Sequence, residues 1–112
     1  MLIYKLFRDD EWQDLQSNGE TIGAPIDVAD GFVHFSDAQQ VQTTAELYFS
    51  DVENLWLAAV DPVPLGDDLK WEESRGGALF PHLFRKLRMD DVKWCVALPL
   101  GPSGHKFPKD LK

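Results

Sequence analysis

Asp30-Gly31-Phe32-Val33-His34-Phe35-Ser36-Asp37 reads as a short strand, residues 32–35, running straight into a helix start. Phe32, Val33 and Phe35 supply the burial that a strand needs. Ser36 and Asp37 offer helix-capping oxygens, and Ser36 with Gln39 fits the reciprocal capping pattern. His34 stands at the junction. A side chain held between a strand and a helix N-terminus is rigidly aimed, as a binding or reacting group must be.

Downstream of this junction, Ala38, Val41, Ala45, Tyr48 and Phe49 recur at helical spacing. They predict a helix over residues 37–49, with Tyr48 in its apolar stripe. Upstream, Gly23, Pro25 and Gly31 mark residues 20–31 as a loop, tacked to the core by Ile22, Ile26 and Val28. Residues 2–7 alternate as an opening strand. Either Asp9 or Asp10 caps a helix reaching Ser17, with Trp12 and Leu15 facing inward and Gly19 where a stop is expected.

The run Leu55-Trp-Leu-Ala-Ala-Val60 is the signature of a strand buried on both faces. Pro62 and Pro64 end it. Leu69–Glu73 alternates, which puts Glu72 opposite Trp71; with Trp71 inward, Glu72 faces solvent or a cleft. Gly76-Gly77 marks a turn. Residues 81–88 carry no decisive pattern, and one helical turn after Pro81 is compatible with them. Met89-Asp90-Asp91 reads as a turn. Val92–Leu98 is the last strand, with a buried centre. Two main helices among about five strands, without βαβ alternation, indicate a single α+β domain over residues 1–100. Residues 101–112 read as a mobile tail.

Composition narrows the function classes. The chain has 112 residues and 44% apolar content, enough for one real core and too apolar for disorder. Its longest apolar run is far shorter than the ~20 residues that cross a bilayer. No membrane partner is expected, and the N-terminus reads as a strand rather than a signal peptide. One cysteine, Cys95, excludes an internal disulfide and any multi-cysteine zinc site. Cytoplasmic residence is the expectation that follows. Net charge is -8. Residues 1–69 hold only Lys5 and Arg8 against fourteen carboxylates, whereas basic residues prevail slightly over 70–93. Long nucleic acids are excluded as partners, because they need a broad basic surface. A small anionic ligand fits, with its anionic part near residues 70–93.

Two constellations could carry chemistry. His34 could bind a ligand hydroxyl, act as a base or ligate a metal, or simply satisfy a backbone carbonyl. Gly31 before it would permit close backbone approach, and the N–H groups of the helix start at Ser36 could receive an anion. The second constellation is Trp71-Glu72-Glu73-Ser74-Arg75-Gly76-Gly77-Ala78-Leu79-Phe80-Pro81-His82-Leu83. Either Glu72 or Glu73 could stabilise a cationic transition state or activate a hydroxyl. Arg75 could grip a phosphate, or be an ordinary charge of an exposed loop. His82 is held by the rigid Pro81, either as a positioned ring or as packing for the next turn. No His-x-His or His-x-x-x-His spacing supports a metal site, and none is expected. Cys95 reads as a small buried hydrophobe.

Three pieces carry a resemblance: Asp30-Gly31-Phe32-Val33-His34-Phe35-Ser36, Leu69-Lys70-Trp71-Glu72 and Phe80-Pro81-His82-Leu83. On them the chain resembles a bacterial family catalogued as domain of unknown function 952, nearly end to end, from Ile3-Tyr4-Lys5 to Leu98. That family commonly continues the last piece with Tyr-Gly, where this chain has Phe84-Arg85 and so lacks the hydroxyl. The family is grouped by remote similarity with the ADP-ribosyltransferase-like superfamily, which implies a split, mostly antiparallel β-sheet with NAD in its cleft. It implies transfer or hydrolysis of ADP-ribose; the alternatives are a non-catalytic module for a nucleotide metabolite, or a structural or interaction domain without a ligand. His34 matches the histidine that holds the nicotinamide-side ribose, and Glu72 is the candidate for the late glutamate. Gly31, Phe32, Ser36, Arg75 and His82 are expected to line the ligand site, with Arg75 or Ser36 at the diphosphate. The superfamily's tyrosine has no clear counterpart, since Tyr48 lies in a predicted helix.

Overall fold

The fold comes from a computed structural model that describes residues 1–109 and 111. Strand β1 (Ile3–Phe7) is buried along its whole length, Lys5 included. Helix α1 (Asp9–Asn18) follows, with Asp9, Asp10 and Glu11 in its first turn, where carboxylates oppose the helix dipole. The Glu11 carboxylate accepts the Arg8 N–H at 2.9 Å. Trp12 and Leu15 face inward and Gly19 closes the helix, as expected.

Residues 20–31 depart from the expected loop. They form strand β2 (Glu20–Thr21) and a short helix, α2 (Pro25–Asp30). Pro25 stands in the first helical turn, where a missing N–H is harmless. Ile22, Ile26 and Val28 are exposed rather than tacked to the core. The buried residue of α2 is Asp27.

Strand β3 (Val33–His34) is shorter than the predicted 32–35. Helix α3 (Val41–Tyr48) begins later than the predicted 37–49. Ser36 does not cap it, because the Ser36 backbone is committed to β1. Tyr4 N–H donates to the Ser36 carbonyl at 2.7 Å, and Ser36 N–H to the Tyr4 carbonyl at 2.9 Å. The Asp37 carboxylate instead holds a turn, accepting the N–H groups of Gln39 and Gln40. Val41 and Ala45 form the buried stripe of α3. Tyr48 is 60% exposed and lies outside that stripe.

Strands β4 (Leu55–Val60) and β5 (Leu69–Glu73) match the predicted runs. Residues 79–83 form strand β6 (Leu79–Leu83) rather than a helical turn. Pro81 is tolerated because its carbonyl accepts the Phe35 N–H at 3.0 Å, just past the end of β3. Its missing N–H therefore points to the side where that ladder stops. Strands β7 (Leu87–Arg88) and β8 (Val92–Leu98) complete the main elements. The centre of β8 is only half-buried, since β8 is an edge strand. Strands β9 (Leu100–Gly101) and β10 (Gly104–His105) pair as a hairpin, and His105 Nε2 donates to the Val52 carbonyl at 2.7 Å. Asp110 and Lys112, at the end of the predicted tail, lie outside the described residues.

Two three-stranded antiparallel sheets result, in the orders β1-β4-β8 and β3-β6-β5. The Tyr4–Ser36 bridge links them. One face of β1 and β4 packs with Trp12, Leu15, Val33, Phe35 and Leu83; the other packs with Val41 and Ala45 of α3. Burial on both faces explains the continuous apolar run of β4. The expected α+β class and antiparallel pairing hold. The two expected helices are α1 and α3, and α2 is additional.

Candidate functional site

Strands β3, β6 and β5 bring the two sequence constellations onto one sheet face. His34 pairs in register with His82, and their ring centroids lie 5.4 Å apart. Glu72 reaches the same face: its Oε1 accepts the Nδ1–H of His82 at 2.8 Å. Phe32 lies over both imidazoles, stacked on His82 at 4.1 Å and tilted against His34 at 4.6 Å. Phe84 extends the aromatic surface, 5.2 Å from Phe32. His34, His82, Glu72 and Phe32 thus meet, although about fifty residues separate the two histidines in sequence.

His82 is nearly buried, with 5% of its side chain exposed. The contact with Glu72 puts a hydrogen on Nδ1, so that in the neutral ring Nε2 is an acceptor. Nε2 is buried and has no hydrogen-bond partner among the described residues. Buried polar groups in folded proteins are ordinarily hydrogen-bonded, to protein or to water.

His34 is held quite differently. Its Nδ1 contacts Asp27 Oδ1, and its Nε2 lies 3.0 Å from Asp30 Oδ2. Asp27 is the hub that sequence reasoning missed. Its side chain is fully buried, and it accepts bonds from the Lys5 ammonium at 2.8 Å, Ala24 N–H at 2.8 Å and His34 N–H at 3.1 Å. Burial works to raise the Asp27 carboxyl. The hydrogen bond from His34, the Lys5 charge and the Ala24 N–H outweigh it and hold the carboxyl down at about 2. The sequence pattern places Lys5 in a strand and Asp27 in a loop. The available signal was Pro25 followed two residues later by an acid, a helix start.

The glycine next to the site has another role than expected. A Cβ on Gly31 would meet open space, so no close approach is made there. Its φ of 84° closes α2 instead, and its N–H donates to the Asp27 carbonyl. The close approach occurs at Gly23, where a Cβ would fall 2.1 Å from Asp27 Oδ2.

Ser36 and Arg75 form a neighbouring group. Thr44 Oγ1 is 3.2 Å from Ser36 Oγ and accepts from Arg75 Nη1 at 3.2 Å. The Arg75 guanidinium lies 5.0 Å from the Phe80 ring centre, and Phe80 stands opposite Glu72. Glu73 lies opposite Leu79, one residue further along the strand and on the other face from Glu72. Trp71 also points away from Glu72, but it is 38% exposed rather than turned into the core. Cys95 is half-buried and burial pushes its thiol up to about 12, so no reactive thiolate forms there. Two surface hollows lie away from this face. One, of about 400 Å³, is bordered by Glu53, Asn54 and Ala97–Leu100, and the other, of about 110 Å³, lies between α3 and β10. Among the described residues, no group of three or more His, Cys, Asp or Glu is placed to hold a metal ion, and no helix is long and apolar enough to cross a membrane.

Comparison with known proteins agrees on the lineage. The crystal structure of protein CC0527 from Caulobacter crescentus is 46% identical to this chain, with a TM-score of 0.90, over 94% of this chain and 92% of that one. The solution NMR structure of CC0527 gives a TM-score of 0.83 at 46% identity, over 93% and 90% of the two chains. No curated protein matches. The profile of the family described as protein of unknown function (DUF952) matches residues 6–95, and the chain belongs to that family.

Proposed function

We propose that the face formed by Phe32, His34, His82 and Glu72 binds a nucleotide of the NAD type, and that ADP-ribose is transferred or hydrolysed there. The observation that carries this reading is the buried, unpartnered Nε2 of His82. An acceptor nitrogen with its tautomer set by Glu72 suits a ribose hydroxyl. Phe32 and Phe84 offer the flat apolar surface on which a nicotinamide or adenine ring stacks. The two antiparallel sheets joined at Tyr4–Ser36 suit the split sheet of ADP-ribosyltransferase-like proteins.

The chemistry is simple to balance. The bond between the ribose carbon and the nicotinamide nitrogen breaks, and its electron pair leaves with nicotinamide. Positive charge develops on the carbon, and the Glu72 oxygen not held by His82 stabilises it. A water or acceptor hydroxyl then bonds to the carbon and passes its proton to Glu72. His82 orients the ribose. Arg75, which lies against Phe80 and is bonded to the Thr44 that Ser36 also contacts, is in reach of a diphosphate running along the face.

A second reading, a binding domain without turnover, is favoured by one observation: Asp30 closes the Nε2 of His34. Melting curves with NAD, ADP-ribose and nicotinamide, together with an assay of nicotinamide release, separate the two. Turnover predicts a raised melting temperature and nicotinamide release that Glu72→Gln abolishes while binding persists. Raised melting without release selects the second reading. Unchanged melting across the panel contradicts both.

A further inference from the structure

Strand register places one more side chain on this face. Lys70 of β5 stands directly opposite His82 of β6. Directly opposed residues of an antiparallel pair share a face, with Cβ atoms about 5 Å apart. Glu72, two residues on, reaches His82 from that same face, which fixes the side on which Lys70 lies. The row across the sheet is therefore His34, His82, Lys70.

Lys70 is exposed and its ammonium has no hydrogen bond or ion pair among the described residues. The carboxylates two residues to either side of it in sequence are engaged elsewhere. Glu72 is held by His82, and Asp68 lies 3.8 Å from Arg85 Nε. Arg75, the other basic candidate, is already bonded to Thr44 and lies against Phe80. A free cation thus stands one strand away from a buried acceptor that lacks its hydrogen. An acceptor beside a cation matches a hydroxyl beside an anionic ester.

We infer that Lys70 is the phosphate-binding residue of this site, and that the His82–Lys70 pair selects a ribose carrying a 5′-phosphate over the bare nucleoside. The inference rests on the nucleotide-binding reading above. It sharpens that reading by naming the recognised unit and moving the main phosphate contact from Arg75 to Lys70.

Nicotinamide mononucleotide and nicotinamide riboside differ by that phosphate alone. Calorimetric titration of both into the intact chain tests the pair. We expect the mononucleotide to bind about tenfold or more tighter, the range of a charge-assisted contact. Lys70→Gln should abolish the preference, Lys70→Arg should keep most of it, and Lys93→Gln, at an exposed position of β8, should leave it unchanged. Lys70 is exposed, so Lys70→Gln should melt within a degree or two of the parent, and any loss of binding would not reflect unfolding. Equal affinity for the two ligands, or a preference that survives Lys70→Gln, overturns the Lys70 assignment and leaves the nucleotide site standing. Binding of neither ligand, with no response to NAD, overturns the site and this inference together.

Discussion

The two imidazoles of the site are built alike at Nδ1 and unlike everywhere else. His34 and His82 each face a carboxylate from Nδ1, Asp27 in one case and Glu72 in the other. Asp27 is fully buried and gathers donors from β1, from the start of α2 and from β3. Glu72 is 43% exposed and holds His82 alone. Both nitrogens of His34 face acid groups, whereas the second nitrogen of His82 is buried without a hydrogen-bond partner among the described residues. A saturated buried network fixes structure. An incomplete one, next to an exposed aromatic surface, is available for a ligand. We therefore assign stability to the Asp27 half and place the proposed recognition in the His82 half.

The sharpest way to break that division is Asp27→Ala. It would strand a buried ammonium, two N–H groups and an imidazole, and losing one partner of a buried pair costs about 3–5 kcal/mol. Urea unfolding should show a loss of that size; a loss below ~1 kcal/mol would remove Asp27 from its structural role. Replacing both partners, Lys5→Met with Asp27→Leu, should recover only the part of the loss due to the stranded ammonium, because the Ala24 and His34 N–H groups and the His34 ring stay unpaired.

Acid should act next, and through the same half. The Asp27 carboxyl is held below its ordinary value of 3.8, at about 2 in the folded chain. A lowered folded value means its stabilisation is complete above about pH 4 and is lost as pH falls towards 2. The shift is worth on the order of 2 kcal/mol. Unfolding free energies from pH 5 to pH 2 should fall by that much more in the parent chain than in the Lys5→Met, Asp27→Leu variant. Parallel curves would contradict the assignment.

The other half should respond weakly in stability. Glu72→Gln removes a partly exposed partner, and such pairs contribute about 0–1 kcal/mol. A much larger loss would move Glu72 into the structural half. Smallest of all, Tyr48→Ala on the outer side of α3 should change stability by no more than ~0.5 kcal/mol, because the ring is largely exposed.

The sequence was legible where one local pattern agreed with its surroundings. Strand β4 is an unbroken apolar run, and α1 has acids at its start and Gly19 at its end. The DUF952 resemblance, carried by the His34, Glu72 and His82 segments, held. Helix α2 was hidden because it has only six residues, shows Ile26 and Val28 to solvent, and lies between glycines. Strand β6 was hidden by Pro81, whose place in a sheet depends on which neighbour its carbonyl faces. Ser36 matched a capping pattern, yet its backbone pairs with Tyr4, a tertiary contact that no local pattern reveals. The site was half visible for the same reason. His34, His82 and Glu72 stood in marked motifs, while Asp27 acquires its meaning only when α2 brings it beneath β3.

The imidazole nitrogens themselves report the division most directly. Ring nitrogen shifts of His34 and His82 can be followed by NMR at pH 8, above the ordinary histidine range, as ADP-ribose is added. The account predicts that Nε2 of His82 starts as a bare acceptor and moves as it accepts a ligand hydroxyl, while the His34 nitrogens stay where Asp27 and Asp30 hold them. A response at His34 with His82 unchanged, or silence at both under saturating ligand, would contradict it.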